Sequence, residues 1–136
     1  MPGIFDAMRV SASGLTAERL RLDVIAGNLA NANSTAGADG TPFTRRLVVL
    51  EAAAPEAGGV SAGVRVAAIA DDPSPPRRVY DPAHPDADEQ GYVSLPNVNP
   101  VSEMVDMIGA SRAYEANVSA LDAAKDIALK TLDLLR

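Results

Sequence analysis

Apolar residues recur at every seventh position at both ends of this chain, and such ends can hardly be anything but two helices packed along a stripe. Near the N-terminus, Met8, Leu15, Leu22 and Leu29 form one line. Ile4, Ile25 and Ala32 mark the adjoining line, interrupted by Ser11 and Glu18. Alternating steps of four and three keep a helix seam facing a partner helix. The helix is expected from about residue 4 to residue 33, fraying between Asn31 and Thr35, with Gly37 as a stop signal. At the other end Asn99 reads as an N-cap and Pro100 as the first helical residue, with Glu103 and Asp106 in the early turns. Met107, Tyr114, Leu121, Ala128 and Leu135 then repeat, with Met104, Ser111, Val118, Lys125 and Leu132 as the expected second line.

Between the helices the pattern changes. Residues 43–50 (FTRRLVVL), 63–69 (GVRVAAI), 77–80 (RRVY) and 91–95 (GYVSL) favour strands, and turn-rich segments such as DDPSPP and DPAHPDADEQG separate them. The predicted fold is therefore α+β. N- and C-terminal helices form an α-helical coiled-coil pair, with a small antiparallel β insert of two to four strands and Pro-rich loops between them. The expected units are 1–34 (N-terminal helix), 35–98 (β-rich insert) and 99–136 (C-terminal helix).

Composition narrows the functional classes. Eighteen acidic against twelve basic residues give a net charge of −6, the wrong sign for neutralising nucleic-acid phosphates. There is no cysteine, so disulfides and thiol catalysis are excluded. The N-terminus lacks the basic and apolar regions of a cleavable signal peptide, and no run approaches the ~20 apolar residues of a membrane span. His84 lies among Asp81, Asp86, Asp88 and Glu89. Pro82 and Pro85 make that segment a solvated turn rather than a rigid pocket, and its spacing matches no calcium loop. No phosphate-binding loop, nucleophile elbow or HExxH motif is present. The expectation is a non-enzymatic protein with no cofactor, no metal and no small-molecule substrate. The basic pairs Arg45–Arg46 and Arg77–Arg78 read as solvated strand ends; the sharper alternative is that they face acidic loops, such as Asp71–Asp72 or 86–89, on a neighbouring copy.

Three amides are set into the end of the first helix: Asn28, Asn31 and Asn33. Asn33, and Asn31 with it, fit a helix C-terminus, where amides are common. Asn28 falls inside the helix, as does Asn117 in the second. A buried Asn in a helix bundle lowers stability but fixes register.

The stretch LDVIAGNLANANSTAG (22–37) resembles the N-terminal signature of the flagellar rod and hook axial proteins. Residues 103–135 resemble the C-terminal helix of the same family, and residues 79–108 are similar to its proximal-rod branch. Gly27, Ser34 and Pro100 depart from the family's usual residues. The resemblance implies a structural subunit of the proximal rod of the bacterial flagellar basal body. It implies export by the flagellar type III apparatus without signal cleavage, and assembly in the periplasmic space with copies of itself and other rod proteins. It further implies a tube lined by the terminal helices with the insert facing outward. Met8, Leu15, Leu22, Ile25, Leu29, Met104, Met107, Tyr114, Val118, Leu121, Leu132 and Leu135 are then the expected assembly seams. Asn28, Asn31, Asn33 and Asn117 are the expected register amides between neighbouring subunits. An isolated helix of this size is marginal, so the ends are expected to gain order on docking. The alternatives are another axial rod or hook subunit, or a helical export chaperone or adaptor that does not polymerise.

Overall fold

A computed structural model describes residues 3–37, 40–54 and 63–134. Two helices bracket four strands: α1 (Ile4–Ala30), β1 (Arg46–Ala52), β2 (Val64–Asp71), β3 (Arg77–Tyr80), β4 (Tyr92–Leu95) and α2 (Pro100–Leu134). The strands form two separate antiparallel ribbons, β1 with β2 and β3 with β4. The chain is thus α+β.

The helix starts follow their capping chemistry. Asn99 Oδ1 accepts hydrogen bonds from the N–H groups of Val101 (3.0 Å) and Ser102 (3.4 Å), so α2 begins at Pro100, whose missing N–H costs nothing there. At α1, Asp6 reaches back to the Gly3 N–H at 3.0 Å. Its end is closed by Asn31, whose side chain donates to the Gly27 carbonyl at 2.9 Å.

The helices pack on each other and run antiparallel, because Gly14 meets Asn117 while Asn28 meets Glu103. Gly14 has a structural reason: a Cβ there would lie 2.9 Å from the Asn117 amide. The α1 face follows the expected line, with Ile25 and Ala32 buried and Met8, Leu15, Leu22 and Leu29 half-buried. On α2 the second line is displaced by one residue from the expected Met104, Ser111, Val118, Lys125 and Leu132. The inward positions are Glu103, Ala110, Asn117 and Ala124, alternating with Met107, Tyr114, Leu121 and Ala128. Close approach at Gly14 favours small side chains in the gap, and it leaves Met104, Val118 and Leu132 exposed.

α1 also carries the β1–β2 ribbon on its other side, through Ala17 and a groove lined by Leu20, Val64 and Val66. Ser13 Oγ accepts the Val64 N–H at 3.1 Å, and Gly63 (φ +99°) leaves room for that hydroxyl. The β1–β2 register pairs Arg46 with Asp71 and shifts between Val49 and Leu50. That bulge explains why β1 does not alternate cleanly between buried and exposed positions. The β3–β4 ribbon is built around Tyr80 and Tyr92, edge to face at 5.3 Å, over a buried Val93. Among the described residues, no helix is long and apolar enough to cross a membrane.

Candidate assembly surface

The junction between helices and insert is polar and almost fully satisfied. Asn28 is 1% exposed. Its Nδ2 donates to the Arg46 carbonyl (2.9 Å) and to Glu103 Oε2 (3.0 Å), and its Oδ1 accepts the Arg46 N–H (2.9 Å). The first residue of β1 is therefore clamped to α1 by a single amide that also holds the start of α2. Arg45 completes the junction: Nε donates to Glu103 Oε1 at 2.6 Å, and the terminal nitrogens reach Asp72 at 3.2 Å and Asp106 at 3.4 Å. Asn97 Oδ1 accepts the Arg45 N–H, while its Nδ2 donates to the carbonyls of Asp72 and Ser74. Burial alone would lower the Arg45 pKa, but its hydrogen bonds to Glu103 and Asp72 outweigh that and raise it. Hydrogen bonds from Ser74, then from Arg45, hold Asp72 below the usual carboxylate range.

This changes the reading of several residues. The Asn28 amide is engaged within its own chain: both its donors and its carbonyl have intrachain partners. Asn117 likewise faces Gly14 of its own chain and donates to the Ala113 carbonyl at 2.9 Å. Asn31 caps α1, and Asn33 is exposed. Arg45 pairs with Asp72 of its own chain, and Arg78 pairs with Asp88 ten residues away. Asp88 is held low first by the Tyr92 N–H, then by the Gln90 N–H and Arg78. Arg77 points to the Ala32 and Pro96 carbonyls. Arg46 stacks on Phe43 at 5.7 Å, and neither it nor Arg77 has an acidic partner among the described residues. His84 Nδ1 accepts the Asp86 N–H at 3.1 Å and so shapes the turn.

The stripe residues divide into two sets. Met8, Leu15, Leu22, Ile25, Leu29, Met107, Tyr114 and Leu121 lie at least half-buried on the intrachain seam. Met104 (54% exposed), Val118 (37%) and Leu132 (61%) open to solvent, together with Val101, Val105, Ile108, Ile127 and Leu129. Leu135 lies outside the described residues. Glu103, Asp72 and Asn97 carry the junction, and sequence reasoning assigned them no such role. Their junction partners lie 23 to 75 residues away, so no local spacing betrays them.

A compact protein of this mass, 14.1 kDa, would expose about 6,700 Å². This chain exposes 9201 Å², and nine of the sixteen exposed large hydrophobic side chains among the described residues lie on α2. Such surface calls for partners of the same kind all along a helix, rather than for a small ligand in a pocket.

Comparison with known proteins agrees. Residues 8–38 match the family model described as flagella basal body rod protein, and residues 89–134 match that described as flagellar basal body rod FlgEFG protein C-terminal. Three flagellar basal-body rod proteins FlgC are similar over nearly their whole lengths. That of Yersinia enterocolitica is 49% identical over 96% of this chain and 95% of the relative. That of Borreliella burgdorferi is 43% identical over 98% and 99%. That of Bacillus subtilis is 39% identical over 96% and 97%. The antiparallel terminal helices, the signature around Asn28 and these matches lead to one conclusion: the chain belongs to the FlgC family of flagellar basal-body rod proteins and is a structural subunit of that rod.

Proposed function

We propose that the chain is exported by the flagellar type III apparatus and polymerises in the periplasm, with copies of itself and with other rod proteins, into the proximal part of the tubular drive shaft. The observation that carries this reading is the unpartnered apolar surface of α2: Val101, Met104, Val105 and Ile108 near its start, and Ile127, Leu129 and Leu132 near its end. Patches of this extent on a small chain mark association surfaces. A growing tube needs contacts that do not close into a ring of two, so different faces of the subunit must meet. The intrachain junction at Asn28 and Arg45 fixes where the insert leaves the helix pair, and with it the direction in which the insert points from the lattice. The chain's contribution is mechanical, and its chemistry is that of packing and register.

The test is deletion and complementation. Cells lacking the chain should be non-motile, and electron microscopy should show basal bodies without a completed rod. Complementation with a tagged chain should restore both, with the tag at the rod. Complete rods without the chain would refute the proposal. A non-polymerising export adaptor would instead give a discrete small oligomer by light scattering and no label in purified basal bodies.

A further inference from the structure

A groove runs between α1 and β2. Its larger part, about 640 Å³, lies between Thr16 and Leu20 on the helix and Val64 and Val66 on the strand. Its smaller part, about 230 Å³, continues past Gly27 to Asn31, against Ile69. Asp23 lines both, so the two form one channel. From Ser13 to Asn31 it follows α1 for about 27 Å, at 1.5 Å per residue. Three charges stand along it in the order Arg19, Asp23, Arg46. None of them has an ion-pair partner among the described residues. The fourth charge on the groove, Arg65, is paired with Glu51.

The far end of α2 carries the complement of this row. Gly14 lies level with Asn117 and Asn28 with Glu103, so α1 begins level with about Ile127. The last buried residue of α2 is Ala124, yet the helix runs on to Leu134. Ile127, Leu129, Leu132 and Leu134 are all exposed there. At 100° per residue Asp126, Lys130 and Asp133 fall within about 60° of one another, on the side away from the seam. All three are exposed, and none has an ion-pair partner among the described residues. The groove reads base, acid, base; the helix end reads acid, base, acid.

We infer that the groove receives the projecting end of α2 from a second copy of this chain, with Lys130 set against Asp23 and the acids Asp126 and Asp133 set against Arg19 and Arg46. This rests on the polymerising role proposed above and names the two faces and the occupant. The chain cannot fill its own groove: α2 is one continuous helix, and Lys130 lies past the start of α1, about 30 Å along the axis from Asp23. Leu129 and Leu134 flank the charged row and match the apolar walls at Leu20, Val66 and Ile69. The contact is heterologous, since each copy offers a groove to one neighbour and a helix end to another, and it propagates instead of closing a dimer.

Charge reversal tests the pairing. Asp23 and Lys130 have no ion-pair partner within the described chain, so purified Asp23→Lys and Lys130→Asp should each melt with the native protein. In complemented cells each single reversal should cut the number of completed rods by about tenfold or more, because it sets like charges against each other. Asp23→Lys combined with Lys130→Asp should restore rods and motility. Rods at native number in either single variant, or no recovery in the double, would overturn the inference and leave the rod role intact. The chain has no cysteine, which allows a second test in assembled basal bodies with all six charges kept. Gly27→Cys combined with Leu129→Cys should give dimers and higher species of this chain with a short bis-maleimide, and either change alone should give none. Absence of cross-links from the pair, or dimers from a single change, would overturn the inference. Absence of the unaltered chain from purified basal bodies would instead refute the rod reading itself.

Discussion

Replacing Asn28 by Asp changes one atom type and almost no volume, and it strikes the most connected side chain of the junction. The Nδ2 that now donates to the Arg46 carbonyl at 2.9 Å and to Glu103 Oε2 at 3.0 Å becomes an oxygen. If it ionises, two carboxylates face each other at about 3 Å, a repulsion of roughly 5 kcal/mol at an effective dielectric of about 20. If it stays protonated, holding a proton near pH 7.5 on a group with an ordinary pKa of about 3.9 costs about 5 kcal/mol. Neither route is cheap against a net stability on the order of 5–15 kcal/mol. Near pH 5 the protonated form costs only about 1.5 kcal/mol, and it can still donate to Glu103. The lost bond to Arg46 adds about 1 kcal/mol at either pH. The sign is fixed by proton uptake. The folded variant has a raised pKa at this position and binds more protons than the unfolded chain, so its stability falls as pH rises. Urea unfolding followed by circular dichroism, on native and Asn28→Asp chains near pH 5 and pH 7.5, should give a penalty of about 2–3 kcal/mol at the lower pH and about 6 kcal/mol at the higher. A penalty under about 1 kcal/mol near pH 7.5, or one that does not grow with pH, would refute the clamp described for Asn28.

Leu121→Asp places a charge on the half-buried seam and removes roughly 2–3 kcal/mol of apolar burial; rods should fail, while Leu121→Met, which keeps the volume, should support motility. Gly14→Val should cost about 1–3 kcal/mol by crowding Asn117, whereas Gly27→Ala, with nothing within 4 Å of the new methyl, should stabilise by about 0.5–1 kcal/mol; thermal melts of both decide it. Glu18 Oε2 is buried without a hydrogen bond, its nearest cation being Arg21 at 3.7 Å, so Glu18→Met should raise the unfolding midpoint. Asp72 and Asp88 have depressed pKa values, so their stabilisation is present above the unfolded carboxylate range of about 4 and lost as pH falls below it; an acid titration of native stability should show this, less so in Asp88→Asn.

The parts of the fold governed by local chemistry were legible in the sequence. Asn99 and Pro100 mark the start of α2, and the strand at 77–80 was predicted at its observed bounds. The α1 line was legible because its residues differ enough in hydrophobicity to stand out. The second α2 line was not. Counting apolar side chains favours Met104, Val118 and Leu132, but the seam is filled by Ala110, Asn117 and Ala124, because backbone approach at Gly14 rewards small volume over hydrophobicity. The junction was less legible still. Arg45 read as half of a surface pair and Glu103 as a helix-start acid, and only the folded topology, 58 residues apart along the chain, makes them partners.

The Asn28–Glu103 bond also sets an order of events. It spans 75 residues, and the Gly14–Asn117 contact spans more. A chain delivered N-terminus first presents α1 and both ribbons long before α2 can reach them. Until the final helix arrives, the Asn28 amide has no carboxylate to meet and Arg45 lacks two of its three acids. Closure of the fold therefore coincides with the arrival of the 35-residue α2. The exposed apolar side chains of α2, Val101, Met104 and Ile108 among them, take fixed places only when the subunit is complete. Contacts of such long sequence separation form slowly, which leaves an interval in which the subunit is present but not yet adhesive. The topology acts as a timer, separating delivery of the chain from its incorporation.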